Sequence, residues 1–591
     1  MWLLILAAAL IVQVVILRSI ATRMVAPHLP FWADQVQYLT EAYRGYDFIR
    51  AHGLFTGTIE AIRQPRPQGW LLQTAASWLM TVVGPSRLAA LDLNIALAVL
   101  WLGVTGYAVK RAFGGPASVL AIGLLLSAGS FTLGPGGPYD FRIDFASMCI
   151  WGSLVVLMAV ADGREGWGLR IAMLLVGVLL ITTRFISSFY LMPFVGLVFL
   201  LSLLPIWRRD RSWWQRGAPW FIMGAIWTAV FGLVLYLSYD QFSAYYIRGH
   251  IVSDEASVRR IAAGLLSFSD DVIYYPRALW NLHLGTTFLW IAGVILAASL
   301  VTAVAVRVLV LVARTGWGNV VHSWLNMFFL PPETEDAQRS RRLWWFLLVV
   351  VIGFVSPYLV LTTNRDKNVP VAGVLVPSVA LLIVVGAVWL TRLSGRVFRD
   401  GPGLSRTLIG HAVGVVVIVV ALEAQWQRIQ PGPLGLPPAP ILQSYAQLMD
   451  DASPYIAQMG DRPISWSLDG HYVEISYSTI GVLLYERTGR WINLTGGLGY
   501  GSVEQKLEAA ELRKAAEGSD VLILSKYPPG TKMPYPYDQS IRDQHEILES
   551  YAREHLTLLG TYEMQNMQLQ LYVRPIAAGQ AGGQDTALAQ R

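Results

Sequence analysis

The stretch WLLILAAALIVQVVIL, residues 2–17, is the first of eleven apolar runs, and their recurrence limits the fold more than any other feature. The others fall near 88–108, 116–134, 145–161, 168–183, 185–206, 219–238, 285–313, 343–363, 370–391 and 407–424. Each suits a helix that crosses a hydrocarbon core of ~30 Å with its backbone polar groups paired internally. The sequence therefore predicts a polytopic α-helical membrane protein of about eleven spans. Composition agrees, because 54% hydrophobic and 14% charged residues leave a chain of 591 residues too little polar surface to be soluble. The first run has no basic segment before it and no A-x-A after it, so it reads as an uncleaved span.

Sidedness follows from basic residues in the short loops. KRAFGG (110–115), DGREG (162–166), WRRDRSWWQR (207–216), RSRR (339–342) and RLSGRVFRDGPGLSR (392–406) fall on one side, taken as cytoplasmic. Loops 18–69, 135–144, 239–284 and 364–369 fall on the other, which predicts a cytoplasmic N-terminus and an extracytoplasmic C-terminus. The net charge of +6 is then explained by these loops and gives no support to nucleic-acid binding. Lysine occurs only at 110, 367, 506, 514, 526 and 532, an arginine bias that suggests a GC-rich bacterium and its inner membrane. The single cysteine, Cys149, excludes an intrachain disulfide and a cysteine-based metal site.

The membrane part is expected to end near 424, followed by a proline-rich linker over 425–442 that contains QPGPLGLPPAP. Strand-like runs at 462–468, 481–487, 520–526 and 569–575 alternate with helical patterns at 503–516 and 540–556. They predict a C-terminal soluble α/β domain over 443–576, and the tail 577–591 reads as disordered. Two amphipathic segments, 69–83 and 317–330, are expected to lie along the membrane surface.

Polar residues collect on the expected outer side. Asp34, Tyr38 and Glu41 share one helical face; Asp34 is either a solvated interfacial acid or a general base for an acceptor hydroxyl. In GGPYDFRIDFAS (136–147), Asp140, Arg142 and Asp144 stand at the entrance to a span, as a loop-holding ion-pair network or as a binding site. Arg63, Arg66, Arg184, Arg248, Arg365 and Lys367 are outer-side cations, some of them ordinary interfacial residues and some candidates for a lipid phosphate. Arg184 has almost no loop around it and calls for an anionic partner. Asp92 and Asn94 are expected to face the bundle interior. There is no Walker A loop, G-x-S-x-G elbow, HExxH or Cys/His metal spacing.

In order along the chain, ADQVQYLTEAY, RQPRPQGWLLQ, the span that starts after Arg87, YDFRIDF, TTRFISSFYLMP and NRDKNVPVAGVLVPSVALL resemble the GT-C membrane glycosyltransferases. The nearest likeness is to the bacterial branch similar to protein mannosyltransferases and the lipid A aminoarabinose transferase. This resemblance implies an inverting transfer of a sugar from a polyprenyl-phosphate donor to a glycan, lipid or protein acceptor outside the cytoplasm. It implies Asp34 as catalytic base, Asp140, Arg142, Asp144 and Tyr38 as acceptor- or sugar-binding residues, and the six cations as phosphate ligands. Two departures stand out. Gln35 follows Asp34 where many relatives have a second acid, and Arg184 replaces a common lysine. The first favours a single base over a metal-bound arrangement, so a divalent cation is allowed and not required, and no other cofactor is called for. Two alternatives remain open on the residues alone: a lipid-diphosphate enzyme of the O-antigen ligase or polymerase type, and a non-catalytic transporter or scaffold. The first would concentrate its catalytic residues in one late loop, and a transporter would show internal repeats.

Overall fold

The computed structural model describes residues 1–27, 33–64, 68–161, 166–204, 212–252, 257, 260–261, 264–315, 335–365, 367–395, 403–428, 439–460, 464–469, 477–489, 491, 493–497, 508–528, 530–531, 539–564 and 567–576. Arg66, the segment 317–330, the stretch 429–438, the tail 577–591 and the side chain of Asp34 lie outside the described residues.

The helices of the apolar part are α1 (Trp2–Ile20), α2 (Ala33–His52), α3 (Leu54–Arg63), α4 (Leu71–Val83), α5 (Arg87–Phe113), α6 (Gly115–Leu126), α7 (Ile143–Val160), α8 (Trp167–Thr183), α9 (Ser188–Leu203) and α10 (Trp213–Leu237). They continue as α11 (Phe268–Ala278), α12 (Gly285–Thr315), α13 (Glu335–Thr363), α14 (Val376–Gly395) and α15 (Gly403–Arg428). Among the described residues, nine helical segments are long and apolar enough to cross a membrane, and the chain reads as a multi-pass membrane protein. Two of the eleven expected spans are shorter helices: α6 with 12 residues and α8 with 17. The run 116–134 stays helical only to Leu126, and the chain beyond it is irregular but mostly buried. Non-helical backbone is tolerated in an apolar bundle when protein covers it.

α7 occupies the centre, with every residue from Ile143 to Ala159 buried, which explains why it is apolar all round. Peripheral helices instead expose Leu4, Ile11, Tyr236 and Trp290, as lipid-facing surfaces do. Polar contacts tie the bundle together inside. Gln13 of α1 donates to Gln425 of α15 at 2.9 Å, and Gln425 donates to the Leu126 carbonyl that ends α6. Gln425→Leu is expected to lower stability by about 1–2 kcal/mol, the range for interhelical hydrogen bonds in model membrane peptides. Denaturant titration in detergent checks this.

The last helix of the bundle runs to Arg428, and the C-terminal domain begins with α16 (Ala439–Gln458). The domain continues with β1 (Ser465–Leu468), α17 (Tyr477–Thr488), β2 (Asn493–Gly497), α18 (Ala509–Glu517), β3 (Val521–Lys526), α19 (Gln539–His555), β4 (Thr557–Glu563) and β5 (Gln568–Val573). Its sheet has the order β2-β1-β3-β5-β4, with β1 parallel to β2 and β3, and β5 antiparallel to β3 and β4.

One expected strand, 481–487, is a helix. α17 is buried on two faces: Ile480 and Leu484 join the core under the sheet, while Val482 and Tyr485 join the core of the helical bundle. Burial on both sides turns the helical period into an unbroken apolar run, which reads like a short buried strand. β2, with the sequence NLTGG, and β4, with TLLGTYE, carry too little alternation to announce themselves.

Candidate functional site

The face of the bundle that bears the C-terminal domain gathers the polar residues. α7 and α8 are consecutive helices, so the N-terminus of α7 lies beside the C-terminus of α8. Asp144 sits in the first turn of α7, and Arg184 is the C-cap of α8. Each charge is favoured by its own helix dipole, and the two meet as an ion pair. Arg142, the N-cap of α7, places its Nε 3.2 Å from Asp144 and 3.8 Å from Asp140. Asp144 is 2% exposed, so its charge depends on these two arginines.

The turn that carries this cluster is held from three sides. The Asp140 carboxylate accepts the Gly136 N–H at 2.6 Å, and Asn94 of α5 donates to the Asp140 carbonyl at 2.9 Å. Gln35 of α2 donates to the Tyr139 carbonyl at 3.1 Å. Gly136 has φ +78° and lies against Pro370, so a side chain there would be strained and would clash. Asp92, two residues before Asn94 and so on a different face of α5, is partly exposed rather than turned to the interior, and pairs with Arg18 at 3.3 Å.

Arg184 is fixed from the other side by the 68–70 segment. Trp70 N–H donates to the Thr182 carbonyl at 2.9 Å, and Phe185 N–H to the Gln68 carbonyl at 3.0 Å. A Cβ on Gly69 would fall 2.1 Å from the Thr183 carbonyl oxygen. Gly69→Ala is therefore expected to push Arg184 away from Asp144 and to lower stability by about 1–3 kcal/mol, the cost of overpacking. Thermal unfolding of the purified variant measures it.

Arg142, Asp144 and Arg184 line a small cleft that is partly open to solvent. Its other polar walls are Gln68, Asn364, Asn368 and the tyrosines 190, 245, 246 and 275. Among the described residues, the Arg184 Nε has no hydrogen-bond partner. A cleft with two guanidiniums, one carboxylate and four phenol rings can hold an anion beside an apolar or saccharide face.

Not every anticipated residue is here. Tyr38 is buried on α2, within electrostatic reach of Arg184. Glu41 accepts from Gln73 of α4 at 3.1 Å. Arg63, Arg248 and Arg365 are exposed and are not part of the cleft lining. Lys367 is turned inward: its Nζ donates to the Leu361, Thr362 and Asn364 carbonyls that end α13, and lies 3.6 Å from Asp271. The four tyrosines, Gln68 and the two asparagines escaped the sequence reading. Doubled tyrosines at 245–246 and 274–275 were the visible signal, since twin phenols beside an expected outer cation are unusual in an apolar chain. No groups of three or more His, Cys, Asp or Glu suited to a metal occur among the described residues.

The C-terminal domain docks on the same face through α17. Tyr43 donates to Glu486 at 2.5 Å, while Tyr485 and Trp491 donate to Asp47 at 2.7 and 2.6 Å. Tyr485 also stacks between Tyr43 and Trp491, with centroids 5.1 and 4.4 Å away. Burial raises the Tyr43 phenol with help from the neighbouring Glu486 carboxylate.

No family model matches the chain, and no curated protein matches it in sequence. Solved structures do match. ArnT from Cupriavidus metallidurans in the apo state superposes with a TM-score of 0.54 at 15% identity, covering 98% of this chain and 99% of that one. The same protein bound to undecaprenyl phosphate gives 0.52 at 12% identity, with the same coverage. This chain has the GT-C fold. The likeness covers almost the full length, so the GT-C fold here includes both the helical bundle and the C-terminal domain.

Proposed function

We propose that this protein is an inverting glycosyltransferase that takes a sugar from a polyprenyl-phosphate donor and delivers it to an acceptor on the extracytoplasmic side. The observation that carries the proposal is the Arg142–Asp144–Arg184 cluster, buried in a tyrosine-lined cleft at one end of an apolar bundle. A lipid-linked donor stays in the membrane, and a cationic cleft at a helix end is where its phosphate would be met. Among proteins of this fold, C. metallidurans ArnT has been crystallised with undecaprenyl phosphate.

In this reading the bond between the anomeric carbon and the phosphate oxygen breaks, and the phosphate keeps the electron pair. Arg184 and Arg142 stabilise the charge as it grows, with Asp144 holding both guanidiniums in place. Arg63, Arg66, Arg248 and Arg365 would act on the approaching headgroup. Asp34, at the start of α2, takes the proton from the acceptor hydroxyl as its oxygen attacks the opposite face of the sugar. Tyr38, Asp140 and the cleft tyrosines orient the sugar or acceptor. Lys110 and Arg111 at the far end of α5, opposite Arg87, support a cytoplasmic location for that end and an extracytoplasmic cleft.

The test is transfer from a panel of radiolabelled polyprenyl-phosphate sugars into host membranes. Label reaching an acceptor with the wild type, and failing with a folded Arg184→Ala variant, supports the reading. Transfer from lipid diphosphates alone, or from no donor at all, overturns it.

A further inference from the structure

His283 is fully buried in the apolar bundle, where an imidazole needs a partner for each ring nitrogen. It lies in the π-helical turn Leu279–Leu284, which joins α11 to α12. Its Nε2 donates to the Val369 carbonyl at 2.9 Å, and its Nδ1 lies 3.0 Å from the Ser130 hydroxyl. A carbonyl can only accept, so Nε2 carries the proton, and Nδ1 of the neutral ring accepts from Ser130. One side chain thereby ties together three short segments that are not α-helical: the π turn, the 3₁₀ turn Gly129–Phe131 and the 3₁₀ turn Val369–Leu375. The three approach closely. A Cβ on Gly129 would collide with the Leu282 carbonyl, and one on Gly373 would fall 3.3 Å from the imidazole.

We infer that His283 is a positioning residue of the cleft, acting through its bond to Val369 on the 368–371 wall and on the turn that carries Asp140, Arg142 and Asp144. Asn368 and Val371, on either side of the bonded carbonyl, line the cleft, as does Tyr275 of α11. Pro370, between them, lies against Gly136, whose N–H donates to the Asp140 carboxylate at 2.6 Å. Asp140 and Asp144 in turn flank the Nε of Arg142 at 3.8 and 3.2 Å. His283 is not part of the cleft lining, and both its nitrogens are engaged by protein groups, so it holds backbone and is not a catalytic residue. Without the Nε2–H, the Val369 carbonyl loses a donor in apolar surroundings, which is costly enough to move a short turn. A 3₁₀ turn is the part that yields, because its own hydrogen bonds have poorer geometry than those of an α-helix. Its displacement takes Asn368 and Val371 out of place and withdraws Pro370 from Gly136. The kinetic consequence rests on the transferase reading above, while the coupling between His283 and the 136–144 turn does not.

The experiment compares full-length wild type with His283→Gln, His283→Asn and His283→Phe in lipid nanodiscs. Gln carries an amide N–H about as far from the backbone as Nε2, so it keeps the donor to Val369. Asn reaches only as far as Nδ1, and Phe keeps a flat ring with no N–H. Hydrogen exchange is read on peptides covering 369–375 and 136–144, and kcat and KM are read for the polyprenyl-phosphate sugar. His283→Phe and His283→Asn are expected to raise exchange in both peptides. They should also raise donor KM by roughly 2- to 30-fold, the span of couplings carried by residues that touch no ligand. His283→Gln should keep both peptides protected and KM near the wild-type value. A variant that merely unfolds in part lowers kcat and leaves KM alone, so KM separates positioning from loss of folded protein. Exchange changes that spare 136–144, a fall in kcat with KM unchanged, or a His283→Gln protein as impaired as His283→Phe would each overturn the inference. If wild type transfers nothing while 136–144 still loosens in His283→Phe, the transferase reading falls and the coupling stands. If wild type transfers and 136–144 stays protected in His283→Phe, the coupling falls and the transferase reading stands.

Discussion

An Asp144→Asn variant is expected to lose stability and transfer together. The change removes one negative charge and leaves Arg142 and Arg184 facing each other in a cleft wall that is almost closed to water. Breaking a buried ion pair by removing one partner costs about 3–5 kcal/mol, because the remaining charge is uncompensated. Here Arg142 keeps Asp140 at 3.8 Å while Arg184 loses the carboxylate it is paired with, so the penalty should reach that range. A further variant separates charge from shape. Asp144→Asn combined with Arg142→Gln relieves the repulsion between the two arginines but leaves Arg184 without its carboxylate, and should recover only part of the stability without recovering transfer. Thermal unfolding in detergent and donor transfer are the two readouts. An Asp144→Asn protein as stable as the wild type would show that the ion pairs carry little weight.

Asp34→Asn should behave differently. A general base contributes typically 10²- to 10⁴-fold to rate, and transfer should fall by about that factor. The donor contacts proposed for Arg142 and Arg184 are untouched, so donor KM should change little. Initial rates over a range of donor concentrations decide it. A variant that keeps most of its kcat removes Asp34 from the mechanism and moves attention to Asp140.

The parts of this molecule that were legible in its sequence share a cause. Apolar runs such as 145–161 and 370–391 are local signals, and length alone separates a span from a core strand. Asp144 and Arg184 stood out because charge beside an apolar run is costly and demands a partner. What the sequence left hidden was mostly neutral or shared between layers. Gln68, Asn364 and Asn368 meet in the cleft only because two separate connections end there, and uncharged polar residues in loops look alike whether they bind or merely face water. α17 was misread because it serves two cores at once. Lys367 looked like a free cation in NRDKNVP, but the chain turns back so that its ammonium closes the carbonyl end of α13. No local pattern distinguishes those two uses of a lysine.

The contact between Tyr43 and Glu486 spans 443 residues of sequence, and that separation has a consequence in time. At ~5–20 residues per second, α2 is synthesised roughly 20–90 s before the helix that completes its burial. During that interval Tyr43 and Asp47 lack the partners that α17 and Trp491 bring. A chain halted after its last membrane helix would hold α2 without the contacts from the C-terminal domain. Synthesis thus delays the complete burial of α2 until nearly the whole polypeptide exists.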